Sequence, residues 1–146
     1  YLKKLIQINK DEKFLIIGGI LEEAAKSIIQ MPNVTYIPQI AKTELNSYLA
    51  KMKLGLIPYI INAHTVGVYP TKLFEYLAAG VPVLSTPLPE VAQYADNDYM
   101  CISANPINVS NLAFPMHQVE DIINRNTWDV RWKNYVKNIE QCLELQ

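Results

Sequence analysis

The sequence predicts an α/β domain, a Rossmann-like parallel β-sheet with helices on both faces. Two observations carry that expectation. Five short apolar runs recur with centres near residues 16, 35, 56, 83 and 101, and each interval between them holds one helical segment. Strands joined through helices run parallel, and the right-handed crossover rule sends the helices to both faces. The chain has 146 residues, enough for one domain with a sizeable core. No repeat, low-complexity tract or linker divides it, so residues 1–146 are read as a single domain.

The elements follow in order. In "LKKLIQI", Leu2, Leu5, Ile6 and Ile8 make a helical stripe that ends at the turn "NKDE". "KFLIIGGI" is a continuous apolar run stopped by Gly18 and Gly19, the pattern of a strand buried on both faces. "LEEAAKSIIQM" is a helix with Leu21, Ala24, Ala25 and Ile28 on one face, broken at Pro32 and Asn33. "VTYI" is the second strand. "KTELNSYLAKM" is a helix with Thr43 as its expected N-cap and Leu45, Tyr48, Leu49 and Met52 as its apolar face. "LGLIPYI" is the third strand, followed by the irregular loop "INAHTVGVY". The helix "PTKLFEYLAA" comes next and stops at Gly80. "VPVLST" is a strand, "LPEVAQY" a short helix and "YMCIS" a weaker strand. Two helices close the chain, "PMHQVEDIINRN" and "TWDVRWKNYVKNIEQCLEL", the latter with Val130, Tyr135 or Val136, Ile139 and Leu143 as its stripe.

Composition removes several classes of function. Half the residues are hydrophobic, 18% are charged and the net charge is −1. That is globular composition, without the basic footprint of a nucleic-acid binder. No window reaches the roughly 18 consecutive apolar residues of a spanning helix. The amino-terminal "YLKKLIQINK" lacks a signal-peptide layout and an initiator Met, so the sequence reads as one that starts mid-domain. Cys101 and Cys142 have no metal-binding spacing and read as free thiols of a reducing compartment. The glycosylation-like triplets at Asn33 and Asn108 read as incidental, and His117 as a surface residue.

The stretch "YPTKLFEYLAAGVPVLSTPLPE", Tyr69 to Glu90, carries the chemistry. Pro70 suits a first helical position, and the N–H groups of Thr71, Lys72 and Leu73 then lack helical acceptors. Lys72 adds charge to an end that the helix dipole already makes positive, at a cost of about 0.3–1 kcal/mol. A bound phosphate or diphosphate reverses the sign, because amides, dipole and ammonium converge on it. Glu75 lies roughly 4–5 Å further along the axis. Its carboxylate could accept from both hydroxyls of a ribose. The competing reading is a simple pair between Lys72 and Glu75, for about 0.2–0.5 kcal/mol. Two features favour the ligand: the segment follows the longest loop, and the helix has few other charges. Leu73, Phe74, Leu77 and Ala78 would anchor that helix on the sheet.

This stretch resembles the donor-binding segment of GT-B glycosyltransferases, family 4 and its relatives (glycosyl transferases group 1). Their carboxy-terminal domains carry a run matched here by Pro70, Lys72, Glu75, Tyr76, Leu77, Ala78, Gly80, Pro82, Val83 and Thr86. The resemblance extends to "FLIIGG", to "NVTYIPQIAKTELNSYLAKMKLGLIPY" and to the helix start at Thr127 and Trp128. It implies a nucleoside diphosphate-sugar as donor substrate, with no permanently bound cofactor and no metal. Glu75 would bind the ribose. Thr71, Lys72 and Leu73 would hold the diphosphate, and main-chain groups near Tyr36, Ile37 and Pro38 would meet the base. Tyr59 is a weaker candidate at the cleft edge, read mainly as packing.

The resemblance has departures. The first glutamate of the family's E-x7-E motif falls on Gly67, with His64 and Thr65 nearby as candidates to reach the sugar. The family's first strand, with its glycine turn, is missing, as is the acceptor-binding domain that would partner this one. The expectation is therefore a donor-binding fragment, inactive alone, whose parent moves a sugar to a saccharide or lipid acceptor in cell-surface polysaccharide synthesis. It would act in the cytoplasm or at the inner membrane face, with room for peripheral membrane association through the missing domain. A nucleotide-sugar epimerase-like domain and a non-catalytic α/β binding module stay open as alternatives.

Overall fold

The computed structural model describes residues 1–20, 23–69, 71–95, 99–114, 124 and 127–144. Its elements alternate as the spacing predicts: α1 (Leu2–Ile8), β1 (Phe14–Ile17), α2 (Glu23–Ile29), β2 (Val34–Ile37), α3 (Lys42–Leu49), β3 (Gly55–Ile57), α4 (Thr71–Ala78), β4 (Val83–Ser85), α5 (Pro89–Ala92) and β5 (Met100–Ile102). A 3-10 turn (Val109–Asn111) and the long helix α6 (Trp128–Glu144) follow. Among the described residues every ladder is parallel. The chain is thus an α/β, Rossmann-like structure.

The strands form two sheets, β1–β2 and β3–β4–β5. In a doubly wound order these groups would flank a central strand, and the split falls at that place. The consequence shows at β1. All four of its residues are half-buried, whereas the apolar run predicts a strand covered on both faces. With one partner strand, β1 keeps an edge that a wider sheet would cover. β4, the middle strand of the larger sheet, is buried at every residue.

The main core lies on the larger sheet. Leu73 and Leu77 of α4, Leu88, Val91 of α5, Ile57, Val83, Tyr99 and Met100 form one buried cluster. Ala78 was expected among the anchors of α4 but is exposed. On α3 only Leu49 is fully buried, and the helix begins after Ala41, which leaves Thr43 inside the first turn rather than at the cap. Glu44 N–H already bonds the Ala41 carbonyl at 3.0 Å, which sets that earlier start.

The end of α1 is held by polar bonds to the segments around Asn33 and Ile107. Leu5 and Ile6 are fully buried, but Ile8 is exposed and the buried place after it belongs to Asn9. Asn9 Nδ2 donates to the Leu5 and Ile107 carbonyls, and its Oδ1 accepts from Val109 N–H at 2.8 Å. Asn33 Nδ2 donates to the carbonyls of Ile6, Asn9 and Glu12, closing the end of α1 from the β2 side. Asn9 and Asn33, which begin a turn signal and a glycosylation-like triplet, thus serve as helix and loop clamps. Asn108 acts likewise, accepting from Ser110 N–H.

Thr127 Oγ1 accepts from Val130 N–H at the start of α6, as the "TW" signal suggests. The stripe of α6 is less buried than its spacing implies: Tyr135 and Ile139 are exposed, beside Trp132. Residues 115–123, 125 and 126 of the expected helix "PMHQVEDIINRN", His117 among them, the positions of Leu21 and Pro70, and the side chains of Ala24, Cys142 and Leu143 lie outside the described residues.

Candidate functional site

The site forms where β3 and β4 end and α4 begins. Parallel strands aim their carboxyl ends at the same edge, and loops beyond them make the ligand-binding crevice of such folds. α4 is seated there by Leu73 and Leu77 from below. On its flank Phe74 stacks with Tyr69 (5.9 Å between centroids) and meets Tyr94 edge-on (5.4 Å). Tyr76 crosses the third strand so closely that a Cβ at Gly55 would lie 2.5 Å from its ring. Burial pushes the Tyr76 hydroxyl above its ordinary value. A Schellman motif ends the helix: Gly80 N–H bonds Leu77 O, Val81 N–H bonds Tyr76 O, and Gly80 has φ +71°.

These contacts fix which face α4 offers. Lys72, Glu75 and Ala79 are spaced to share one side of the helix. Lys72 and Glu75 turn to different partners rather than to each other. Lys72 Nζ donates to Tyr59 Oη at 3.0 Å and stands 5.5 Å from that ring's centroid. This hydrogen bond outweighs partial desolvation and raises the Lys72 pKa above the usual 10.5. The side chain therefore stays cationic throughout the neutral range. Glu75 Oε1 lies 3.5 Å from Lys42 Nζ at the start of α3. That pair is open to solvent, so its worth is small, about 0.2–1 kcal/mol. Below it runs a groove of about 390 Å³ between α3 and α4, lined by Lys42, Leu45, Asn46, Leu49, Glu75 and Ala78 among others.

The remaining candidates separate. The amide of Thr71 donates to Tyr69 O at 2.9 Å, so it is already engaged. Lys72 and Leu73 offer the other two amides of the expected trio. Tyr36 and Ile37 end β2 in the smaller sheet, with Pro38 just beyond. Tyr36 Oη donates to Gly18 O, and Ile37 O accepts from Gly18 N–H. Their polar groups hold the turn after β1. The connection after Pro38 leads to Lys42, at the rim of the groove.

In the long loop, Asn62 Oδ1 accepts from the amides of His64 and Thr65. The Thr65 hydroxyl donates to Ile60 O at 2.6 Å, which commits it to the loop. His64 is exposed. A Cβ at Gly67 would meet nothing within 4 Å. Burial raises the Cys101 thiol pKa, which disfavours its reactive thiolate.

Sequence reasoning missed Lys42, Asn46 and Leu45 as neighbours of Glu75, and the grip of Tyr59 on Lys72. A basic residue opening α3 is the only signal in the sequence that points to the first. Pairing across 13 residues and two elements leaves no periodic trace.

Comparison with known proteins agrees with this architecture. A family profile described as "Glycosyl transferases group 1" matches residues 1–120. The chain is also 34% identical over 68 residues to a Bacillus subtilis (strain 168) protein named "Putative teichuronic acid biosynthesis glycosyltransferase TuaH". That alignment covers 47% of this chain and 17% of the relative.

Proposed function

The chain belongs to the group 1 glycosyltransferases, and from that premise we propose that it is the part of such an enzyme that binds the nucleoside diphosphate-sugar donor. The observation that carries this reading is the arrangement on α4. A lysine held in its charged form stands on the first turn, and a carboxylate one turn on borders a groove.

Each part then has a task. The diphosphate lies at the start of α4, on the amides of Lys72 and Leu73 and the Lys72 ammonium. As the sugar leaves, negative charge grows on the diphosphate, and these fixed donors stabilise it without reorganising. Glu75 accepts from the ribose hydroxyls. Displacing the exposed Lys42 from Glu75 costs little, because solvent already weakens that pair. The nucleoside extends along the groove between α3 and α4 towards the loop after Pro38. Thr71 contributes by setting the helix start rather than by its amide. The acceptor, saccharide or lipid, is brought by a partner domain, and this part alone binds donor without turnover. By analogy with its relative, the reaction belongs to cell-surface polysaccharide synthesis. We place it on the cytoplasmic side. Among the described residues no helix is long and apolar enough to cross a membrane.

Calorimetry with UDP and with GDP on the full-length protein tests the reading. One of them should bind, and Glu75→Ala should weaken it by about 10- to 100-fold, the loss expected for hydrogen bonds to a charged group. A protein that binds neither, or a variant that binds as well as wild type, would sink the assignment.

A further inference from the structure

We infer that Tyr59 is a positioning residue, whose phenol holds the Lys72 ammonium where a diphosphate can use it. The inference rests on the reading of Lys72 given above and assigns Tyr59 a role beyond packing.

Tyr59 is built to be fixed at both ends. It follows Pro58 directly after β3, and its carbonyl accepts from Thr86 Oγ1 at 2.8 Å. Thr86 is itself buried (4% exposed), and its N–H bonds Ile57 O at 3.1 Å. The backbone of Tyr59 is thereby locked to the ends of β3 and β4. Its ring is half-buried against the main core. Its hydroxyl accepts from Lys72 Nζ at 3.0 Å. The chain of contacts Thr86–Tyr59–Lys72 joins two strand ends to the first turn of α4.

The chemistry of the partner matters. A free lysine loses much side-chain entropy when a ligand fixes it. A lysine already held loses less, so binding gains from preorganisation. An ammonium has three donors. The phenol takes one and leaves two for phosphate oxygens. A hydroxyl acceptor orients the ammonium without setting a carboxylate beside it. A carboxylate in the same place would oppose the anion, and Glu75, the nearest acidic candidate on α4, is turned to Lys42 instead. The same hydrogen bond raises the Lys72 pKa.

A double-mutant cycle on the full-length protein tests this, with UDP and GDP as probes and thermal unfolding as the control. Tyr59→Phe keeps the ring and removes the hydroxyl. It should weaken nucleotide binding about tenfold in the wild-type background. In a Lys72→Met background it should change binding by less than about twofold, since there is no ammonium left to place. Side-chain NMR of Lys72 should show its titration moving down towards the ordinary lysine value in Tyr59→Phe.

Equal losses in both backgrounds would overturn the inference, because Tyr59 would then act on the ligand or the fold directly. So would an unchanged Lys72 titration or undiminished binding in Tyr59→Phe. A wild-type protein that binds neither nucleotide, or Lys72→Met without effect, would instead remove the donor-site reading and this inference with it.

Discussion

Gly55 and Gly80 both resist a side chain, for different reasons. At Gly55 the obstacle is the Tyr76 ring, 2.5 Å from where a Cβ would stand. That ring is partly buried and packed against the core, so shifting it to admit a methyl group in Gly55→Ala should cost about 1–3 kcal/mol. At Gly80 nothing is near, and the cost is backbone strain at φ +71°, about 1–2 kcal/mol. Gly67 has open space and no positive φ, so Gly67→Ala should lie within about 0.5 kcal/mol of wild type. Thermal unfolding of the three variants checks the series, and a Gly55→Ala protein as stable as Gly67→Ala would contradict the packing account. Gly80 was legible because a glycine after an amphipathic run signals a helix stop. Gly55 was not, because close approach of a ring is a tertiary fact. Lys72 has a pH consequence. Its pKa is raised on folding, so its contribution is complete below the ordinary 10.5 and is lost only as pH rises through the higher folded value. The effect of Lys72→Met on nucleotide binding should therefore be the same at pH 7 and pH 9, as calorimetry at the two values would show.

Among the elements, α1 shows how a polar residue can take a core position. Its stripe predicts Ile8 inside, yet Asn9 is buried and Ile8 is not. The reason is the end of the helix, where carbonyls need donors and a neighbouring segment needs an acceptor. Asn9 answers both at once, through bonds to Leu5, Ile107 and Val109. Asn9→Ala should lower the stability by about 2–4 kcal/mol, since it strands buried polar groups on two segments. A urea titration should show a lower midpoint at an unchanged slope, and an unmoved midpoint would contradict the clamp. Hydrophobic periodicity placed the described helices and strands. It could not rank Asn9, because its value lies partly in partners about 100 positions away, such as Val109.

For the whole molecule, alternation of strands and helices was enough to read the fold class, and the parallel ladders follow from it. The division into two sheets marks where the chain departs from a continuous doubly wound sheet. The candidate site belongs to the larger sheet, at the carboxyl ends of β3 and β4. Lys72 and Glu75 stood out in the sequence because they charge an otherwise apolar helix. Their separate partners, Tyr59 and Lys42, became visible only once β3 and α3 were packed beside α4. Amide hydrogen exchange on the full-length protein, with and without UDP or GDP, tests the central claim most directly. A nucleotide seated as proposed should slow exchange at Lys72 and Leu73, the two amides that open α4, with little change at Thr71, whose N–H is already bonded to Tyr69. Protection confined to other regions, with Lys72 and Leu73 exchanging as fast as before, would contradict the account.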